Sequence, residues 1–145
     1  MTAAELYDRD FVEWAKRNAE LLRSGRVAEA DLEHIAEEIE DMGKRERRSL
    51  RHRFERLIEH LLKWQFQAQR RGTSWARTVL DQRRGIQRLL EENRSLHHEL
   101  AELVPGAYAD AAETVALVMR VPREELPAEC PFSLEQLLDK QYLPE

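Results

Sequence analysis

Residues 33–41 concentrate side chains that could bind a metal ion. His34, Glu38 and Asp41 are spaced i, i+4 and i+7, so a helix would place them on one face. An imidazole and two carboxylates can ligate a divalent cation. Carboxylate-bridged dimetal bundles, however, need a Glu-x-x-His on each of two helices, and the chain has no Glu-x-x-His. We therefore expect a solvated or salt-bridged face and no cofactor, with this triplet as the metal alternative.

The middle of the chain is rich in arginine and could bind the phosphate groups of a nucleic acid. Residues 44–94 carry 15 basic and 6 acidic side chains, whereas residues 1–43 carry 5 and 12 and residues 95–145 carry 3 and 10. Trp64 and Trp75 flank a basic loop and could stack on bases. The candidate nucleic-acid contacts are Lys44, Arg45, Arg47, Arg48, Arg51, Arg70 and Arg71.

Two observations weigh against a dedicated nucleic-acid surface. The pI of about 5.6 lacks the basic footprint of such proteins. Both tryptophans also fall on apolar helical stripes, where aromatic residues usually belong to the core. The sequence therefore favours charge matching inside the chain or between subunits, and nucleic-acid binding is the alternative.

Motifs for catalysis are few. Arg47 and His52 form Arg-x4-His, the pattern of HEPN-type metal-independent ribonucleases, but a chain of 145 residues with 19 arginines and 5 histidines should contain about 0.7 such matches by chance, so one match is uninformative. There is no Gly-rich phosphate loop and no serine nucleophile elbow. Cys130 is the only cysteine and has no basic neighbour in sequence to lower its pKa. A metal-dependent or ribonucleolytic enzyme is thus the second alternative.

The apolar spacing predicts the helices that must position these residues. A first helix follows Tyr7, Phe11, Trp14 and Leu21, with capping boxes expected at Thr2–Glu5 and, near the end, at Ser133–Gln136. A second apolar stripe runs Leu32, Ile35, Ile39, Met42, then Leu50, Phe54, Leu57, Leu61, Trp64. No apolar side chain lies between Met42 and Leu50, so the stripe is compatible with one helix of about 35 residues or with two helices that meet near Gly43.

Several strings resemble one bacterial family, domain-of-unknown-function family twenty-nine, which is widespread in cyanobacteria and proteobacteria. They are LYDRDFVEW, DLEHIAEEIEDMG, HLLKWQ, SWARTVLDQRRGI and CPFSLEQLLD followed by LPE, in order along nearly the whole chain. The resemblance implies a helical fold. It implies no catalytic residues, because none are assigned to these motifs.

We predict an all-α protein, an antiparallel bundle of about four long helices with a short C-terminal helix and a Pro-rich strap. Residues 1–145 form one domain in this prediction, with the bundle in 1–120 and the strap in 121–145. A cytoplasmic location is expected, because the first twenty residues lack the apolar core of a secretory signal. The longest apolar run, Val115–Met119, is too short for a membrane span.

The preferred function is a non-enzymatic protein-interaction or oligomerisation domain. A helix of about 35 residues reaches about 50 Å at 1.5 Å per residue. That exceeds what a globule with a radius of gyration of about 15 Å easily covers. Part of the apolar stripe would then need a protein partner or a second copy of the chain.

Overall fold

The computed structural model describes all of residues 1–145 and contains helices but no β-strand, which confirms the all-α prediction. The α-helices are α1 (Ala3–Arg9), α2 (Phe11–Arg23), α3 (Leu32–Phe66), α4 (Thr73–Glu92), α5 (Leu100–Met119) and α6 (Leu134–Leu138). Short 3₁₀ segments lie at Val27–Glu29, Ala68–Arg70, Arg94–Glu99 and Arg123–Glu125. None of the helices combines the length and apolar character needed to span a lipid bilayer.

The helix starts follow local side-chain chemistry. Both predicted capping boxes are present, at Thr2 and at Ser133. The prediction of one N-terminal helix is wrong, because Asp10 separates α1 from α2. The Asp10 backbone leaves the helical region at φ −151°, and its carboxylate accepts from the Glu13 amide at 3.1 Å. A side-chain acceptor that satisfies a free amide favours such a restart.

Helix α3 is continuous through Gly43 and contains 35 residues. Ile39 and Leu50 are eleven residues apart, which is close to three full turns, so the apolar stripe returns to the same side. The polar interval between Met42 and Leu50 therefore requires no break. A single interior glycine costs only about 1 kcal/mol relative to alanine, which a helix of this length tolerates.

The chain forms two compact units, Met1–Arg45 and Glu46–Glu145, called unit 1 and unit 2 here. The buried side chains of unit 1 are few: Ala3, Leu6, Trp14, Asn18 and Leu21. Unit 2 has a much larger core. The fully buried side chains of that core include Leu50, Phe54, Leu57, Ile58, Leu61, Leu62, Ile86, Val115 and Leu137. The single-domain organisation stays a prediction.

A buried arginine holds the C-terminal residues of unit 2. The Arg83 side chain is 2% exposed, and its guanidinium donates to the carbonyls of Gln136, Leu137 and Tyr142 at 3.0, 2.9 and 2.7 Å. These carbonyls lie in and just after α6. One charged side chain thereby satisfies three acceptors of a segment that contains only one short helix.

Candidate functional site

A hydrogen-bond network centred on Asp31 organises unit 1. The Asp31 carboxylate accepts from Trp14 Nε1 at 2.9 Å and lies 2.6 Å from His34 Nδ1. Asn18 accepts from the Asp31 backbone amide at 2.8 Å and donates to the Trp14 carbonyl. The chain therefore returns alongside α2 when α3 begins, although seven residues without an α-helix precede Asp31.

Tyr7 extends this network from α1. Its ring stacks on the His34 imidazole at a centroid distance of 3.9 Å and an interplanar angle of 8°, and its hydroxyl donates to Glu38. The hydrogen bond to Glu38 raises the pKa of Tyr7 to about 12. The hydrogen bond to Asp31 raises the pKa of His34. Although burial opposes it, the bonds from Trp14 and His34 lower the pKa of Asp31.

Beside this network, the hairpin formed by α2 and the start of α3 carries a largely exposed apolar surface. We call this surface the apolar face; its residues are Val12, Ala15, Ala19 and Leu22 of α2 and Ile35, Ile39 and Met42 of α3. The α2 residues follow i, i+3, i+7, i+10 spacing, and the α3 residues follow i, i+4, i+7. Val12 is 78% exposed, Ile39 62% and Met42 59%. Most of the face lines a groove of about 210 Å³ between the two helices.

Exposed apolar side chains are concentrated in unit 1. Eight of the thirteen large hydrophobic residues exposed in the whole chain belong to its first 45 residues. Unit 1 buries only Ala3, Leu6, Trp14 and Leu21 among its apolar side chains. Large exposed apolar patches on folded proteins usually mark interaction surfaces. The apolar face is therefore the candidate functional site.

The predicted metal triplet does not converge on a common point. His34 Nδ1 pairs with Asp31, and Glu38 accepts from Tyr7 and lies 4.0 Å from Arg45. Asp41 bonds to neither of them. No group of three or more His, Cys, Asp or Glu side chains is arranged to hold a metal ion.

Four of the seven predicted nucleic-acid contacts have partners inside the chain. Arg47 pairs with Glu99 at 2.8 Å and Arg51 with Asp110 at 2.7 Å, so acidic residues of the C-terminal third do meet basic residues of the middle third. Arg71 donates to the Trp64 carbonyl and lies over the Trp64 ring, and Arg45 is near Glu38. The three without an ion-pair or hydrogen-bond partner are the exposed residues Lys44, Arg48 and Arg70.

The two residues of the Arg-x4-His motif, Arg47 and His52, each contact a different acidic residue. Arg47 is engaged by Glu99, and His52 is an exposed side chain 3.8 Å from Glu55 on the same helix. No contact joins Arg47 to His52. Arg47 and His52 therefore share neither a hydrogen-bond acceptor nor a pocket.

The comparisons with known proteins give a family but no activity. The family described as "Domain of unknown function DUF29" matches residues 6–143. The chain belongs to the DUF29 family. No curated protein and no solved structure matches this chain.

The strings that carry the DUF29 resemblance have structural roles in this chain. LYDRDFVEW supplies Tyr7 and Trp14, and DLEHIAEEIEDMG supplies Asp31, His34 and Glu38, which together form the network of unit 1. CPFSLEQLLD supplies two of the carbonyls that Arg83 binds. The strings therefore mark packing and hydrogen bonding that shape this DUF29 chain.

The α3 part of the apolar face was predicted as an apolar stripe, whereas the α2 part was not predicted. Val12, Ala15, Ala19 and Leu22 show a helical spacing of their own, which was available in the sequence. It was overlooked because the larger side chains Phe11, Trp14 and Leu21 define a stronger stripe on another side of the same helix. Two apolar stripes on one short helix indicate two packing surfaces.

Proposed function

We propose that this DUF29 chain is a non-enzymatic interaction domain that self-associates through the apolar face of unit 1. The observation that carries this proposal is the exposure of Val12, Ile39 and Met42 at regular helical spacing on adjoining helices. Isolated exposed apolar residues need no explanation, whereas a contiguous two-helix surface does.

The small core of unit 1 supports the same proposal. Folded segments of about 40 residues usually require a disulfide, a metal or oligomerisation to supplement their cores. Cys130, the only cysteine, lies in unit 2, so unit 1 has no disulfide. Burial of a Val, Leu or Ile side chain contributes about 1.5–3 kcal/mol, so covering the apolar face would add substantially to the stability of unit 1.

Sedimentation velocity over a concentration series tests the proposal. The wild-type chain should sediment as an oligomer whose population rises with concentration. Ile39→Glu should shift the chain to the monomer, because it places a charge in the contact. Leu117→Glu is the matched control, since Leu117 is a 79% exposed apolar residue on α5 outside the face. A wild-type monomer at every concentration would contradict self-association.

A nucleic-acid surface is the second candidate function. It is supported by Lys44, Arg48 and Arg70, which are exposed and have no carboxylate partner. Binding should weaken steeply with salt because counterions are released from phosphates. A gel-shift series with RNA and single-stranded DNA, using Arg48→Ala and Lys44→Ala, measures this. No shift at low salt would remove this candidate.

The finer architecture is also a proposal. We propose that the long helices pack as an antiparallel bundle of about four, with residues 121–145 as a strap. The strap is supported by the three bonds from Arg83 and by the Tyr108 hydroxyl, which donates to the Pro127 carbonyl. The bacterial origin and the cytoplasmic location stay predictions.

A further inference from the structure

We infer that a groove between α3 and α4 in unit 2 binds a phosphate group through Arg53, Ser49 and Gln82. Gly85 provides the space in which the arginine lies, and we call these four residues the Arg53 site. The inference goes beyond the proposed self-association and does not depend on it, since the whole site lies in unit 2. The observation that carries it is a partly covered guanidinium group without an anionic partner.

Arg53 differs from the other arginines that are withdrawn from solvent. Only four of the 19 arginines are buried or half-buried, namely Arg53, Arg71, Arg83 and Arg123. Arg83 and Arg123 each donate to three backbone carbonyls, and Arg71 donates to one at 2.6 Å. Arg53 has a single bond, to Gln82 Oε1 at 3.3 Å, and forms no ion pair. A cation that is partly removed from water requires compensation, which the chain itself does not supply here.

The fold makes room for this guanidinium at Gly85. Gly85 lies within α4, and a Cβ atom at this position would lie 2.5 Å from Cζ and 2.8 Å from Nε of Arg53. Such atoms cannot approach so closely, so the guanidinium can lie against the α4 backbone only because residue 85 is glycine. Glycine in a helix interior costs about 1 kcal/mol relative to alanine. The chain has this unfavourable residue at the point where an unpaired cation enters the groove.

Two further donors adjoin Arg53. Ser49 lies four residues before Arg53, so the two side chains are neighbours on one face of α3. Ser49 is half-buried, and its hydroxyl forms no hydrogen bond within the chain. Since Gln82 accepts from Arg53 through Oε1, its Nε2 amide group is free to donate. Guanidinium, hydroxyl and amide groups all bind phosphate oxygens in proteins.

The charges beside the Arg53 site also suit an anion. Arg56 is exposed, lies three residues after Arg53 on α3, and has no carboxylate partner. Asp81, which precedes Gln82 on α4, lies 3.8 Å from Arg77 and is therefore partly compensated. Arg53 and Arg56 thus carry positive charges that no acidic side chain of the protein pairs with directly.

The number of donors favours a phosphate group over a carboxylate. A carboxylate has two acceptor oxygens, whereas a phosphate group has three or more and can accept from all three side chains together. Free orthophosphate and the phosphates of a nucleic acid share this chemistry. The site is therefore assigned to the phosphate group, and the experiment distinguishes its source.

Titration with sodium phosphate, followed by proton–nitrogen correlation NMR at constant pH and ionic strength, tests the inference. The resonances of Ser49, Gln82 and the Arg53 Nε–H group should shift and saturate, whereas sodium chloride should not saturate them. Arg53→Met should raise the dissociation constant at least about tenfold, because it removes the charged donor. Gly85→Ala should have a similar effect, because its Cβ displaces the guanidinium without changing the net charge.

Matched controls separate the site from general effects of glycine content and charge. Gly106→Ala also adds a Cβ beside an arginine, but the nearest atom of Arg51 is 3.3 Å away, so little needs to move. Arg9→Met removes one positive charge from an exposed residue of unit 1. Both variants should bind phosphate as the wild type does. Circular dichroism verifies folding, and Ser49→Ala, which should also weaken binding, tests the site should Arg53→Met not fold.

A single-stranded thymidine oligonucleotide distinguishes the two sources of the phosphate group. Saturation of the same resonances by the oligonucleotide, abolished by Arg53→Met, would assign the site to nucleic acid. Saturation by orthophosphate alone would assign it to free phosphate. Shifts that grow linearly with both ligands, or equal phosphate affinity of Gly85→Ala and the wild type, would overturn the inference. Neither of these results bears on self-association through the apolar face.

Discussion

Replacement of Arg83 by Met would test how the C-terminal segment is held. Methionine preserves part of the side-chain length but removes every donor. Each bond from a charged donor contributes about 1.5–3 kcal/mol, so the three bonds amount to about 4.5–9 kcal/mol before other effects. Burial of the guanidinium, which lowers the pKa of Arg83, offsets part of this gain, and water can reach the freed carbonyls. We expect Arg83→Met to reduce the free energy of unfolding by about 3 kcal/mol.

Urea unfolding followed by circular dichroism measures this loss, and limited proteolysis locates it. Arg84→Met is the matched control, because Arg84 is the exposed neighbour of Arg83 on the same helix. It should change stability by less than about 0.5 kcal/mol. Arg83→Lys should remain destabilised, since an ammonium group cannot present the planar fork of a guanidinium.

The location of cleavage carries the structural part of this prediction. In Arg83→Met, protease sites in residues 121–145 should become accessible before those in α4 and α5, because the bonds lost are those to Gln136, Leu137 and Tyr142. Equal urea midpoints and equal cleavage of Arg83→Met and Arg84→Met would refute the reasoning.

Three further predictions concern unit 1. Trp14→Phe should lower the free energy of unfolding of unit 1 by about 1–3 kcal/mol, because it leaves Asp31 without the indole donor; native-state hydrogen exchange measures this loss. Since the folded pKa of His34 is raised, its stabilisation is complete below the ordinary pKa of about 6.5 and is lost as pH rises through the folded value. The hydrogen-exchange protection factors of unit 1, which are corrected for the intrinsic rise of exchange with pH, should therefore fall above that pH, and His34→Gln should abolish this fall. Gly25→Ala should cost about 1 kcal/mol in urea unfolding because Gly25 has φ +77°, whereas Gly72→Ala, at an extended φ, should show no such strain.

Periodicity in the sequence was sufficient to predict the helices with strong one-sided stripes. Leu50, Phe54, Leu57 and Leu61 repeat at helical spacing, and all four are fully buried. The capping box at Ser133 was also predictable, because it depends on residues three positions apart. The break at Asp10 was not predicted, since an aspartate within a helical stripe fits a helix interior or a cap equally well by spacing alone.

The candidate site was only partly predictable for a related reason. Ile35, Ile39 and Met42 were recognised as apolar, but burial depends on what packs against them, and a stripe on α3 is compatible with a core or with an exposed face. The metal triplet was placed correctly on one helix face. Its side chains are engaged elsewhere, however, since His34 pairs with Asp31 and Glu38 accepts from Tyr7, 31 residues away in sequence.

The sequence by itself determined the helical class, the caps and the charge segregation, because these depend on residue types and on spacings within a few turns. Tertiary structure alone decided which charges are paired and which apolar side chains are covered. Arg47 pairs with Glu99 and Arg83 donates to the Leu137 carbonyl, in each case across more than fifty residues, whereas the Ile39 side chain remains exposed. Such pairings depend on how the chain folds back on itself, which no local spacing specifies.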